Sequence, residues 1–291
     1  MARIAIVGPG AIGGSLAAWL HQTGRHEVVL CGRRPLSGLQ VETEAGTVAL
    51  PTAVLTRPAE APAVDWIVVA TKTYDAAGAA AWFPALGATG APVAIVQNGV
   101  EHRARFAPYV AADRLVPVIA DLPAERVDPQ RIRQRGPGLL TVTDDAHGRM
   151  FADLFTGTAI TVTLTDDFTS PAWRKLCLNA AGVISALLLQ PAGVMRDAAL
   201  GDVARDLVRE GIAVGRAEGA VLADELVEDV IVSYRRAPPD AVNSLHADRA
   251  AGRPTEIDAR NGAIVRFGAR HGLPTPVNRM AVALLAALSA R

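Results

Sequence analysis

A net charge is missing from this chain: Lys plus Arg and Asp plus Glu stand at 29 each in 291 residues. Without an excess of either sign there is no global field to gather nucleic acid or an anionic membrane, so any anion site has to be local. Cysteine is scarce. Cys31 and Cys177 are the only two, far apart and without metal-ligand spacing, which argues against a disulfide framework or a bound metal. It suits a reducing cytoplasm in which each thiol is a small buried hydrophobe. Long apolar runs are missing as well, because Ala180–Leu189 and Met280–Leu288 fall short of the roughly 20 residues a membrane span needs. The first residues enter a strand-like run at once, with no basic, apolar and small-residue succession of a secretory signal. Internal repeats and low-complexity segments are absent. What remains is a chain with half its residues hydrophobic, able to bury a large core and long enough for two domains.

The segment from Ile4 to Arg34 is the most informative stretch present. An apolar run, Ile4–Val7, leads into Gly8, Gly10 and Gly13 spaced as G-x-G-x-x-G, and a helical run from Ala11 to Leu20 follows. In that strand–turn–helix setting the pattern predicts a dinucleotide site, the pyrophosphate resting on the helix N-terminus. At the end of the second strand, His26–Cys31, an NAD-binding chain usually places Asp or Glu; here Gly32, Arg33 and Arg34 follow. Guanidinium groups pair with a phosphate and gain little from a ribose hydroxyl, which favours NADP over NAD. The plainer alternative is a pair of solvated loop arginines.

Further apolar runs at Trp66–Ala70, Pro92–Val96 and Leu115–Ala120 alternate with helical or loop segments such as Ala76–Leu86. They predict a mainly parallel sheet covered on both faces, the α/β Rossmann type. An antiparallel addition is expected around the Gly-Pro-Gly turn in Gln134–Thr143, then a helix at about His147–Phe155 and a strand at Ala159–Leu164. The expected domains are residues 1–167, binding NADP, and an all-α domain over 168–291 for substrate and catalysis. Its predicted helices are Pro171–Leu189, Gly201–Glu218, Ala223–Arg235, Thr255–His271 and Pro276–Ala290. In such two-domain chains the substrate usually lies in the cleft between the halves. The apolar helical surface of the second half serves either a homodimer or simply the core.

Lys175 and Asn179 are four apart and share a helix face. An ammonium and an amide side by side can bind a carbonyl oxygen and protonate it, as ketone reduction by hydride requires. By itself the spacing favours a plainer reading, an exposed lysine beside a polar edge position. Asn243–Asp248 leads through Gly252–Asp258 into a predicted helix with Pro254 and Thr255 as start signals, which puts Glu256 in a first turn where capping alone would explain it.

Taken in order, Gly8-Pro9-Gly10-Ala11-Ile12-Gly13, Thr71-Lys72-Thr73-Tyr74, Gln97-Asn98-Gly99-Val100, Lys175-Leu176 with Asn179, Ser244 with Asp248, and Thr255-Glu256-Ile257-Asp258 with Asn261-Gly262 carry a resemblance over the whole chain to the ketopantoate reductases (2-dehydropantoate 2-reductases). Separated motifs in order are more specific than any one of them. The resemblance implies NADP(H)-dependent reduction of ketopantoate to pantoate on the way to pantothenate and coenzyme A. It implies Lys175 as general acid and Glu256 as the glutamate that holds substrate, helps orient the lysine and meets the cofactor. Asn98, Asn179, Ser244 and, as a weaker match, Asp248 become substrate contacts. Gly8, Gly10, Ala11, Ile12, Gly13, Arg33, Arg34, Lys72 and Asn98 become cofactor contacts. One departure bears on the substrate: the family often carries a second asparagine where this chain has Val183, so another 2-keto acid is also open. The competing expectations are a β-hydroxyacid dehydrogenase or imine reductase, against which the Thr255–Asp258 cluster argues, and a non-catalytic NADPH sensor. A lactate-type mechanism wants a His paired with a carboxylate, and no histidine here lies in such a pattern.

Overall fold

The computed structural model describes Met1–Glu44 and Gly46–Ser289 and resolves them into two compact units, one made of Met1–Gln97 with His102–Phe168, the other of Asn98–Glu101 with the described residues from Thr169 onward. In the first unit six strands pair in the spatial order Val54–Leu55, His26–Cys31, Ala2–Val7, Trp66–Val69, Val93–Ile95, Leu115–Pro117, every pair parallel. The alternation along each strand explains why both faces are covered. Ile4, Ile6, Val28, Leu30 and Val68 join one buried cluster with Leu16, Trp19 and Leu20 of the helix Ala11–Gln22. Ala5, Val7, Val29, Ile67 and Val69 join the opposite one with Phe83, Leu86 and Phe106. This is a Rossmann-type α/β unit, as expected, and its sheet reverses direction of build beside Ala2–Val7. That switch point is where Gly8 leaves the sheet, Gly8 N–H donating to Cys31 O at 2.9 Å and Ala70 N–H to Val7 O at 2.9 Å.

Two smaller sheets complete the unit. Leu39–Thr43 and Gly46–Leu50 form a hairpin, extended by Arg131–Gln134 and Ala124–Arg126. This hairpin had no counterpart in the sequence reading. The apolar run Leu115–Ala120 divides: Leu115–Pro117 stays in the large sheet while Ile119–Asp121 pairs with Gly138–Thr143 in another. Pro117 has no N–H for a ladder, a natural place for one strand to become two. The addition expected to be antiparallel is mixed, since Gly138–Thr143 is antiparallel to Ile119–Asp121 but parallel to Ile160–Thr165.

The second unit is helical, as expected, with some different boundaries. The predicted helix Pro171–Leu189 is two, Thr169–Ala181 and Val183–Leu188, parted at Gly182. Ala223 precedes its helix, which runs Leu226–Arg236. Ser244–Ala250 forms a short helix. Thr255–His271 does not begin as an α-helix: Thr255 and Glu256 are non-helical, Asp258–Gly262 is a π-turn, and only Ala263–Arg270 is α-helical. The last helix is Pro276–Ser289, and Ala290, its expected end, lies outside the described residues. Among the described residues no helix is long and apolar enough to cross a membrane.

Candidate active site

In the first unit the glycine-rich turn shows different constraints at its three glycines. Gly8 has φ +91°, and a Cβ there would meet Thr71 at 2.8 Å; a Cβ on Gly13 would lie 2.3 Å from Gly8 O. Both are therefore required by the protein itself. At Gly10 the nearest atom to a Cβ is Gly8 O at 4.0 Å, so packing does not demand a glycine there. The space fits a group approaching from outside, and the helix Ala11–Gln22 begins at Gly10 without a side-chain cap, leaving its first N–H groups for an anion. Ala11 and Ile12, partly exposed, supply two of them. The residues present thus fit a dinucleotide.

The two arginines after the second strand differ. Arg33 is 81 % exposed and faces Asp75 at 3.7 Å. Arg34 is exposed and near enough to Arg126 to weigh on its charge: burial and Arg34 both hold the Arg126 guanidinium below its ordinary pKa, with Asp128 opposing them. Arg126 Nη2 donates to Pro9 O inside the glycine-rich turn. Sequence reading missed Arg126 because 117 residues separate it from Pro9. Lys72, half-buried, enters the short 3₁₀ turn Thr73–Asp75, and its carbonyl accepts from Gln97 Nε2 at 3.3 Å; the same amide donates to Thr71 O at 3.0 Å. Gln97 so fastens the loop after Trp66–Val69.

In the second unit Lys175 and Asn179 lie on the helix Thr169–Ala181, both half-buried. The C-terminal end of that helix is held by side chains from elsewhere. Tyr234 Oη donates to Leu178 O at 3.0 Å, Asn261 Nδ2 to Ala180 O at 3.1 Å, and Asn243 Nδ2 to Gly182 O at 3.0 Å. Orphan carbonyls at a helix end are costly when buried, so these donors stabilise the break just past Asn179. Asn278 links the same network inward, accepting from Asn261 at 2.9 Å and donating to Glu210 at 2.7 Å.

Glu256 is 4 % exposed and its Oε2 accepts from Asn98 Nδ2 at 3.1 Å. Capping does not account for it, since it stands before the π-turn and outside any first helical turn. Arg260, in the turn, donates from Nη2 to Asn179 Oδ1 at 2.9 Å and feels the charge of Glu256 and Asp248. The structure therefore gathers Asn179, Arg260, Glu256 and Asn98 from three separate stretches of chain. Arg260 is the member absent from the sequence reading; its signal was the four-residue step from Glu256, which on a plain helix reads as a surface ion pair. Asp248 is buried and pairs with Arg253 at 3.0 Å. Ser244 opens its helix from an exposed position, behind the cap Asn243, whose Oδ1 accepts from His246 N at 2.9 Å. Val183 is fully buried at 0 % exposure among the apolar side chains of the unit.

Comparison with known proteins places the chain in a family. Residues 4–146 match the family model for ketopantoate reductase PanE/ApbA, and residues 167–289 the model for its C-terminal part. The chain is 52 % identical over 285 residues to a 2-dehydropantoate 2-reductase of Caulobacter vibrioides, with 98 % of each chain covered. It is 39 % identical over 288 residues to one of Mycobacterium tuberculosis, covering 98 % of this chain and 97 % of that protein. A solved PanE/ApbA family ketopantoate reductase from Ralstonia eutropha JMP134 superposes with a TM-score of 0.90 at 31 % identity, covering 99 % of this chain and 98 % of that one. The chain belongs to the ketopantoate reductase family of oxidoreductases.

Proposed function

We propose that this chain reduces a 2-keto acid with NADPH, ketopantoate to pantoate, as a step towards pantothenate in the cytoplasm. The observation that carries the reading is the hydrogen bond between Asn98 and Glu256, 158 residues apart, which brings two of the family motifs together. When bound, a nicotinamide dinucleotide would supply the hydride that the keto carbon needs. Lys175 donates a proton to the carbonyl oxygen, and its positive charge stabilises the oxygen as negative charge develops there, the largest electrostatic contribution in a water-poor site. Glu256, fixed by Asn98, holds the substrate and orients the lysine. Asn179 and Ser244 offer hydrogen bonds to the acid, and Asp248 holds the surroundings of Ser244 through its helix.

For the cofactor, Gly10 and the uncapped helix start accommodate the pyrophosphate, with Ala11, Ile12 and the tight turns at Gly8 and Gly13 shaping the approach. Lys72 and the arginines supply positive charge, Arg34 beside Arg126 being the pair with an anion to gain. That local charge favours NADPH in a chain with no net charge of its own.

Steady-state oxidation of NADPH by the purified protein, with ketopantoate beside 2-keto acids lacking its hydroxyl and gem-dimethyl group, tests the reading. Rapid turnover of ketopantoate is expected. Lys175→Ala should lower kcat by roughly two to four orders of magnitude with NADPH affinity kept. Turnover of another panel member alone would replace the substrate, and NADPH binding without any turnover would leave a sensor.

A further inference from the structure

We infer that Arg260 is the carboxylate-recognition residue of this site, a fixed buried cation that selects an anionic 2-keto acid over a neutral analogue. The inference rests on the reduction proposed above. Arg260 is 3 % exposed. Nη2 donates to Asn179 Oδ1 at 2.9 Å, while Nε and Nη1 are buried and find no hydrogen-bond partner. Those two nitrogens carry three of the roughly five N–H donors of the group. Buried donors left without partners are costly, and arginine does not escape by shedding its proton, because its guanidinium stays protonated in proteins; burial pulls its pKa down, with Tyr234, Glu256 and Asp248 opposing. The neighbouring carboxylates are engaged elsewhere by at least one oxygen, Glu256 with Asn98 at 3.1 Å and Asp248 with Arg253 at 3.0 Å. Three donors of a buried cation are thus left over beside Asn179.

Local backbone explains how the guanidinium comes to be there. Gly262 N–H donates to Ile257 O at 3.0 Å, a span of five residues, so the chain makes one wide turn over Asp258–Gly262 before the helix Ala263–Arg270. Such turns re-aim a side chain that a regular helix would place elsewhere, and they recur at functional sites. The contact with Asn179 also decides which way that amide faces. Arginine is a donor only, so the atom meeting it has to be Oδ1, and Nδ2 is turned away as a donor. Arg260 therefore acts twice towards an acid, by presenting the Asn179 amide donor-first and by placing a cation behind it whose remaining donors a carboxylate can take up. A neutral carboxamide gains little from either. Val183, fully buried and without a polar atom, offers no donor of its own.

The test compares binding of ketopantoate and of its carboxamide to the NADP⁺-loaded protein by calorimetry, which needs no turnover, in the wild type, Arg260→Met and Arg260→Gln. In the wild type the acid should bind about 10–100-fold tighter than the amide, the range for a charge-assisted contact. In both variants the ratio should fall to within about threefold, with NADPH affinity unchanged. Arg260→Met should melt no lower than the wild type, because replacing a buried charge with an apolar side chain of similar volume is often neutral or stabilising. A residue that merely supports the fold would give the reverse, a lower melting temperature or no folded protein with both variants. That result, or a folded variant that keeps the wild-type ratio, overturns the inference. If the acid is preferred through Arg260 but no NADPH is oxidised, the inference stands and the proposed reaction falls; if ketopantoate is reduced without any preference over the amide, only the inference falls. A wild type that binds neither compound overturns both.

Discussion

Arg33 and Arg34 are adjacent in sequence yet meet different surroundings, and this separates their expected roles. Arg33 already faces Asp75, so bringing it to a phosphate means giving up that partner. Arg34 stands near Arg126, and two like charges in proximity are relieved by an anion. Arg34→Ala should therefore raise the Michaelis constant for NADPH by about 10-fold or more and leave that for NADH nearly unchanged, whereas Arg33→Ala should have the smaller effect. Equal losses for the two cofactors in steady-state kinetics would show that neither arginine reads the ribose phosphate. At this scale the sequence exposed residue type and order, which was enough to single out Lys175, Asn179 and Glu256. It did not expose Arg126 or Arg260, because an arginine's meaning depends on whether the fold buries it, and both are brought to their sites by pairings far along the chain.

Among the elements, the break at Gly182 decides how Asn179 is held. A continuous helix over Pro171–Leu189 is what apolar periodicity predicts, and periodicity carries no record of donors arriving from other helices. A Cβ on Gly182 would lie 2.6 Å from Tyr234 Oη, so the site of the break is also the site of closest approach. Asn243 joins the two features, capping Ser244–Ala250 and donating to Gly182 O. Asn243→Ala removes a helix cap and leaves a carbonyl without its donor, which should destabilise the protein by about 2 kcal/mol. Urea unfolding measures this directly. A change within about 0.5 kcal/mol would mean that water replaces the amide at both positions. The π-turn at Asp258–Gly262 was equally hidden: Pro254 and Thr255 are sound start signals, but the helix they announce begins later because the chain widens first around Arg260.

Across the whole molecule, the two thiols report on one unit each. Cys31 lies in the first unit and Cys177 in the second, both fully buried, and burial pushes each thiol from an ordinary 9.0 up to about 12. The folded state holds these protons where the unfolded chain releases them, so the stabilisation is complete below about pH 9 and is lost as pH rises towards 12. Unfolding free energy measured by urea at pH 8 and pH 10 should fall at the higher pH, with a slope of at most about 1.4 kcal/mol per unit for each thiol. Replacing both cysteines by alanine should flatten that part of the profile. Native protein should also react slowly with a thiol reagent at pH 8 and yield both thiols in denaturant. Fast labelling of one cysteine would mark its unit as the one that opens locally.

The sequence by itself determined the class of each half and the chemistry to look for, because a strand–glycine turn–helix succession and helical apolar spacing are local properties written in consecutive residues. It also carried the order of motifs that marks the family, now supported by matches over both halves of the chain. Tertiary structure alone decided which polar groups share a site. The meeting of Asn98 with Glu256, of Arg260 with Asn179 and of Arg126 with Pro9 depends on long-range packing. So does the number of donors that remain without partners there, since the cost of a buried ion is set by every group around it and not by its neighbours in sequence alone.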